Sequence, residues 1–339
     1  MNIGIWGLYD KGNFGDDLMA AMFYDFLNRR NCNITVYNAS NYLKKELGLR
    51  VVNDIDEFVR SNDVIVIGGG GMLVNNSLLK FLLKKTEFKF EYSFYQLFKS
   101  LKKYNKKIIP ISIGGGNAKS LNNFFKNKVF SDKYTRQGTV RLQSDLNLVS
   151  KQLFQYYPDI VLRTSDFFPV VKSDNNRENL KKKIVLNLKN KNAAPLIEAF
   201  EKENIFEKFD VYSFSSHAVS KSEFGLYEYE IPDKHFKFEK LIDGINFISS
   251  ADLIISSKLH VGVTGCSYGI PFLSYNGPQK AKEFLREYGK SEWIENNVNA
   301  IVKLLASFDT NFNKSLKDNS YMLESSKHFD TLSEALLEK

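Results

Sequence analysis

The stretch Leu253-Ile254-Ile255-Ser256-Ser257-Lys258-Leu259-His260-Val261-Gly262 passes from an apolar run straight into a polar turn and then into small residues. Its first three residues read as a strand. Lys258 and His260 then follow at the carboxyl end, where open α/β sheets bind ligands. The chain has only four histidines, so one at a strand end stands out. His260 is suited to give or take a proton near neutral pH, although a hydrogen-bonded structural histidine would leave the same trace. Gly262, Thr264, Gly265, Cys266 and Ser267 are small enough to let the following helix sit close to a ligand.

The same strand-then-helix alternation extends outward in both directions. In the second half Ile184–Leu188, Asp210–Phe214 and Pro271–Ser274 read as further strands, and Pro195–Glu203 and Lys237–Ser249 as helices. In the first half Ile3–Trp6, Ile34–Tyr37, Val64–Ile67 and Ile108–Ile113 are short, rich in β-branched residues and bounded by Gly, Asn or Asp. Between the first two lies Asp17–Arg29, with Leu18, Ala21, Met22, Phe26 and Leu27 on one helical face. Repeated strand, crossover helix and strand imply parallel sheets. The polar stretch Pro169–Arg177 reads as a linker. The expectation is therefore an α/β protein with two Rossmann-like domains, residues 1–170 and 177–291, and a substrate cleft between them. Residues 292–339 read as a helical segment that packs back across the domains.

At 339 residues the chain has room for two ordinary domains. Its 43% hydrophobic and 25% charged residues are those of a globular protein. Lys and Arg number 47 against 39 Asp and Glu, a formal charge of +8, which favours anionic ligands. No basic tail or zinc-finger spacing points to nucleic acid. Two distant cysteines, Cys32 and Cys266, form no disulfide framework and suggest a reducing cytoplasm. The opening Met1–Gly7 reads as a strand entering a loop rather than a signal peptide. No segment supplies the ~18 uninterrupted apolar residues of a membrane span.

Several further motifs suit an anionic substrate. Gly12-Asn13-Phe14-Gly15-Asp16-Asp17 follows the first strand and opens the first helix. Asp17 can cap that helix, and the N–H groups of a helix start suit phosphate or carboxylate. A plain capped turn would look the same, and the spacing does not support a nicotinamide cofactor. Gly68-Gly69-Gly70-Gly71 and Gly114-Gly115-Gly116 each follow an apolar strand. Such runs carry an entropic cost that close approach of a ligand or of another backbone explains. Arg141 can fork onto a carboxylate or phosphate, or lie on the surface, and Ser144 reads as the N-cap of a helix running to Leu153. After Pro271–Ser274, Lys280 begins a helix and can face the cleft, with Lys282 as the competing choice.

Leu78–Tyr104 mixes aromatics with many lysines. Such a helix can lie on an anionic membrane or serve as a core helix with solvated lysines. His217, His235 and His328 show no metal-ligand spacing. There is no nucleophile elbow and no H-E-x-x-H, and Cys266 reads as helix packing.

The ordered series Gly-Asn-x-Gly-Asp-Asp, glycine cluster, second glycine strand end, Arg-x-x-Ser, Ser-x-Lys-Leu-His and Gly-Ile-Pro resembles the polysaccharide pyruvyl transferase family from about Ile3 to Leu285. That resemblance implies a GT-B-type arrangement of the two domains. It implies transfer of a pyruvyl group from phosphoenolpyruvate to sugar hydroxyls of a cell-surface glycan or its precursor, giving a cyclic ketal. On this reading His260 moves the proton, and Arg141, Lys258 and Lys280 supply cations to the donor. Asn13, Gly15, Asp16, Asp17, Gly69, Gly70, Gly71, Gly114, Gly115 and Ser144 line the substrate site. The donor is a substrate, so no cofactor and no metal is required. The partners expected are phosphoenolpyruvate and a glycan or lipid-linked acceptor, with peripheral contact at the inner face of the membrane. Three residues depart from the family pattern: Lys258 where arginine is usual, Leu142 where an acid is common, and Asn117 where proline is frequent. A GT-B glycosyltransferase using a nucleotide sugar, or a non-catalytic glycan-binding relative, are the alternatives.

Overall fold

The structure, a computed structural model, describes residues 1–75, 85–116, 120–170, 181–218, 228–312 and 320–338. Asn117, the centre of the expected linker (171–177) and the start of the basic aromatic segment (78–84) lie outside the described residues. The chain forms two compact units. Met1–Lys11, Asp16–Ile160 and Glu324–Lys339 make the first, and Gly12–Gly15 with Val161–Leu323 make the second.

In the first unit Asn2–Trp6 (β1) leads into Phe14–Asn28 (α1), then Asn33–Tyr37 (β2), Asn41–Leu47 (α2) and Val51–Val52 (β3). Ile55–Ser61 (α3), Val64–Gly68 (β4), Lys85–Tyr104 (α4), Lys107–Ile111 (β5) and Phe124–Val129 (α5) follow. The strands pair in the order β3-β2-β1-β4-β5, all parallel. Every residue of β4 is buried, as expected for a parallel strand covered on both faces. Phe90, Phe94, Leu97 and Leu101 recur at helical spacing on α4 and are buried. Phe94 meets Trp6 edge-to-face at 5.1 Å. Phe88 and Tyr92, on the other side of that helix, are 44% and 45% exposed. A short parallel pair, Gly138–Val140 (β6) and Phe154–Tyr156 (β7), completes the unit.

The second unit runs Lys182–Asn187 (β8), Asn190–Lys202 (α6), Phe209–Ser215 (β9), His235–Lys237 (β10), Leu241–Ser249 (α7) and Leu253–Ser256 (β11). It continues with Leu259–Ser267 (α8), Phe272–Tyr275 (β12), Gln279–Glu287 (α9), Ile294–Glu295 (β13) and Val298–Ala306 (α10). The parallel order is β10-β9-β8-β11-β12-β13. The expected helix Lys237–Ser249 is thus corrected: it begins only at Leu241. The residues before it pair with β9, and Phe236 stacks on Phe247 at 4.2 Å.

The last helix, Lys327–Leu337 (α11), belongs to the first unit. Phe329 packs against Phe26 at 4.6 Å. The buried His328 ring accepts from Thr139 Oγ1 at 2.6 Å through Nδ1 and donates to the Pro158 carbonyl at 2.9 Å through Nε2. Burial, with the Arg141 charge as a smaller cause, pushes this histidine down to about 3. In each unit the sheet order reverses at one point, between β1 and β4 in the first and between β8 and β11 in the second. The crevice outside the carboxyl ends there is where such sheets take ligands.

Candidate active site

At the carboxyl edge of the first unit the two glycine clusters are sewn to each other. Gly69 N donates to Ile111 O at 2.8 Å, Gly114 N to Gly70 O at 2.9 Å, and Leu73 N to Gly114 O at 2.9 Å. Gly69 and Gly70 take φ of +70° and +81°, a region open to glycine and costly for other residues. A Cβ on Gly115 would stand 2.9 Å from the Leu73 carbonyl oxygen, and one on Gly114 would stand 2.5 Å from Arg141 Nε. The clusters therefore answer to close approach of backbone and side chains within the unit. Gly71 beside them is half-buried. Asp16 lies close to this edge, its Oδ1 3.1 Å from where a Gly70 Cβ would be.

Asp17 does not cap α1, as the sequence suggested; it is the fourth residue of the helix and fully buried. The capping oxygen is Asn13 Oδ1, which accepts from Gly15 N at 3.1 Å. Asp17 instead accepts a hydrogen bond from Tyr42 Oη. Burial holds its carboxyl well above the usual range, against the opposing pull of that bond. Arg141 is 1% exposed and ion-paired with Asp159 at 3.3 Å. Ser144 is exposed in a 3₁₀ turn, Gln143–Leu148, and the helix expected as far as Leu153 is corrected to this turn. The neighbouring Asp145 turns inward instead, accepting from Gly115 N at 3.0 Å.

In the second unit the loop Gly12–Gly15 lies against the strand end that follows β9. Asn13 pairs antiparallel with His217, Phe14 N donates to Ser216 O at 2.9 Å, and Ala218 N to Gly12 O at 2.9 Å. Phe14 is fully buried, edge-to-face on Phe214 (5.7 Å) and Phe238 (5.5 Å). Gly15 is the seat of His260: a Cβ there would fall 1.8 Å from His260 Nδ1. His260 is half-buried in the first turn of α8, and its carbonyl accepts from Thr264 Oγ1 at 2.8 Å.

Lys258, immediately before α8, is held by a cluster that spans the switch point of this sheet. Its Nζ donates to Ser216 Oγ at 2.7 Å and to the Glu228 carboxylate, and lies 3.3 Å from His217 Nδ1. Glu228, 3% exposed, also accepts from Asn187 Nδ2 at 3.0 Å, from Ser216 N at 3.1 Å and from Ser216 Oγ at 2.6 Å. Burial alone would raise this carboxyl, but the Lys258 ammonium and the hydrogen bonds from Lys258 and Ser216 hold it far below the usual range. Ser256 Oγ ties the end of β11 to Asn187 Oδ1 at 3.1 Å.

The structure thus brings Asn13, Gly15, Lys258 and His260 together in one unit. It also brings Asp16, Gly69, Gly70, Gly114, Gly115 and Arg141 to the carboxyl edge of the other. Lys280 and Lys282 are both half-buried on α9, after the adjacent strand β12. Sequence reasoning missed Asn187, Ser216, His217 and Glu228. The signal available was Ser215-Ser216-His217 at the end of β9, which repeats the strand-then-polar pattern of Ser256-Ser257-Lys258 at the end of β11. Cys266 is fully buried in α8 and burial pushes its thiol up, in keeping with helix packing. Among the described residues no three His, Cys, Asp or Glu side chains gather as a metal site, and no helix is long and apolar enough to cross a membrane.

Two units with all-parallel sheets, each offering a polar carboxyl edge at its switch point, define a protein of the GT-B fold class. The sequence profile of the polysaccharide pyruvyl transferase family matches residues 13–277, and the chain belongs to that family. It is accordingly a transferase. No curated protein matches the sequence. Among solved structures, UDP-GlcNAc 2-epimerase from Neisseria meningitidis, bound to UDP-GlcNAc, is similar with a TM-score of 0.61 at 10% identity, covering 100% of both chains. The epimerase from Methanocaldococcus jannaschii gives 0.59 at 13% identity, over 98% of this chain and 100% of that one. MurG from Acinetobacter baumannii gives 0.51 at 11% identity, over 98% and 100%. At these identities the likeness is one of fold.

Proposed function

We propose that the protein transfers the pyruvyl group of phosphoenolpyruvate to two hydroxyls of a sugar in a cell-surface polysaccharide or its precursor, forming a pyruvate ketal. Family membership supports the reaction class. The observation that carries the reading to particular residues is His260, lodged on Gly15 at the switch point of the second sheet.

The chemistry needs an anion site and a proton carrier. The first turn of α8 presents backbone N–H groups suited to phosphate or carboxylate, and Lys280 supplies a cation at the next strand end. Asn13 and Gly15 fix the loop on which His260 rests. His260 moves the proton that reaches the methylene carbon, which makes the adjacent carbon electrophilic. One sugar hydroxyl adds there, giving up its proton. The second hydroxyl then closes the ketal as phosphate leaves, and its proton departs with the phosphate. In the first unit, the glycine edge with Asp16, Asp17 and Ser144 is proposed to shape substrate binding. Arg141 would contribute there through Gly114, against which it packs.

The same reading places the work in the cytoplasm, at the inner face of the membrane, on a glycan or lipid-linked acceptor. Exposed Phe88, Tyr92 and Phe124, set among exposed Lys89, Lys99 and Lys128 on α4 and α5, support peripheral contact with an anionic bilayer. A nucleotide-sugar donor is the second reading, favoured by the UDP-GlcNAc bound to the Neisseria epimerase of the same fold. A thermal-shift comparison separates the two. Phosphoenolpyruvate should raise the unfolding temperature and UDP-sugars should not, because only a ligand of the native state stabilises it. Phosphate release from phosphoenolpyruvate with a saccharide acceptor, lost in His260→Ala, completes the test. Stabilisation by UDP-sugars alone would overturn the proposal.

A further inference from the structure

The Ser216–His217–Glu228–Lys258 cluster assigns Lys258 a role other than direct contact with the donor. An ammonium carries three N–H donors and no lone pair. Those of Lys258 face three acceptors: Ser216 Oγ at 2.7 Å, the Glu228 carboxylate and His217 Nδ1 at 3.3 Å. Beside an ammonium, Nδ1 must be the accepting nitrogen, so the neutral imidazole carries its proton on Nε2. Among the described residues an Nδ1–H would find only Ser216 Oγ at 3.4 Å or Glu228 Oε2 at 3.6 Å, both longer contacts, and would set its hydrogen against an N–H of the ammonium at 3.3 Å. The buried Glu228 carboxylate, fixed by Asn187 and by both the N–H and hydroxyl of Ser216, holds the ammonium in place. Asn13, the residue paired with His217, stands two positions from the glycine on which His260 rests.

Resting on the pyruvyl-transfer reading, we propose that His217 is a further substrate-binding residue. Through an Nε2–H fixed by the Glu228–Lys258 pair, it donates a hydrogen bond to an anionic oxygen of phosphoenolpyruvate. Lys258 and Glu228 are then positioning residues. A neutral imidazole suits this task because it gives a directed donor without adding a second positive charge beside the ammonium. Lysine at position 258 fits the geometry, since a point-like ammonium can serve three converging acceptors.

The test starts on the protein alone. With four histidines in the chain, long-range proton–nitrogen NMR of nitrogen-15-labelled imidazoles resolves each ring. His217 is expected as the Nε2–H tautomer, and Lys258→Met is expected to shift it toward a mixture while the circular dichroism spectrum stays native. Calorimetric titration with phosphoenolpyruvate then reads the donor. His217→Asn should weaken binding about tenfold or more, the scale of one hydrogen bond to a charged group. His217→Gln, whose amide nitrogen falls near the Nε2 position, should restore part of it. An Nδ1–H tautomer, or a His217 signal indifferent to Lys258→Met, overturns the positioning role. Unchanged affinity in His217→Asn overturns the binding role. A wild-type protein that binds no phosphoenolpyruvate overturns the donor reading itself, a result distinct from either of these.

Discussion

Replacing Gly15 by alanine places one methyl group against His260. The new Cβ would stand 1.8 Å from His260 Nδ1, 2.3 Å from Cγ and 2.5 Å from Cβ. Ordinary contacts between carbons begin near ~3.5 Å, so the ring must retreat by at least about 1 Å. Rotation of the ring cannot clear the Cβ clash, so the first turn of α8 or the Gly12–Gly15 loop must shift as well. Overpacking of this kind costs ~1–3 kcal/mol. Gly15 lies in the first turn of α1, where alanine returns up to ~1 kcal/mol of helix propensity. The expected net destabilisation is therefore ~0–3 kcal/mol. Activity should suffer far more, because misplacing a catalytic group by about 1 Å costs on the order of 10²-fold. Phosphate release gives the rate and calorimetry gives the stability. A double-mutant cycle isolates the cause: in a His260→Gly background the three clashing atoms are gone, and Gly15→Ala should become neutral or stabilising. The difference between backgrounds should be ~1–3 kcal/mol, as for residues in contact. Wild-type turnover in Gly15→Ala, or equal destabilisation in both backgrounds, would refute the seating of His260 on Gly15.

Other consequences concern acid–base behaviour and the surface. Burial raises the folded-state value of the Asp17 carboxyl. Its contribution to stability is thus fullest below the ordinary carboxylate range of ~4 and declines as pH rises above it. Asp17→Asn, which keeps an acceptor for Tyr42, should raise the unfolding temperature at pH 8 and change little at pH 4. His328 is the opposite case: its folded-state value is pushed down from 6.5 to about 3. Its neutral form supports the fold above 6.5, and that support is lost as pH falls through the window toward 3. His328→Gln should flatten the acid limb of a stability profile measured by denaturant titration. Serine at Phe88, Tyr92 and Phe124 together should lower co-sedimentation with phosphatidylglycerol vesicles severalfold, and equal binding by the triple variant would remove the membrane reading.

The parallel α/β plan was legible because β1, β2, β4, β5, β8, β9, β11 and β12 are short runs rich in branched or aromatic residues and closed by glycine or polar residues. β3 was not, since Val51–Val52 is too brief to show a period. β10 was hidden because His235–Lys237 abuts a helical pattern, and only its pairing with β9 marks it as a strand. At the site, Lys258 and His260 could be found because the strand that delivers them is adjacent in sequence. Glu228 could not, since it reaches Lys258 from 30 residues away. The glycine clusters were legible as close approaches, but what they approach lies elsewhere in the chain: Leu73 for Gly115, Arg141 for Gly114 and His260 for Gly15. The burial of Arg141 was equally out of reach, because its partner Asp159 follows 18 residues later.

The most direct measurement is a crystal of the protein soaked with phosphoenolpyruvate. The account predicts density for the donor at the carboxyl edge of the second sheet, with its methylene carbon beside the His260 imidazole and its anionic groups at the start of α8. Density in another place, or an edge that accepts a UDP-sugar and refuses phosphoenolpyruvate, would contradict it.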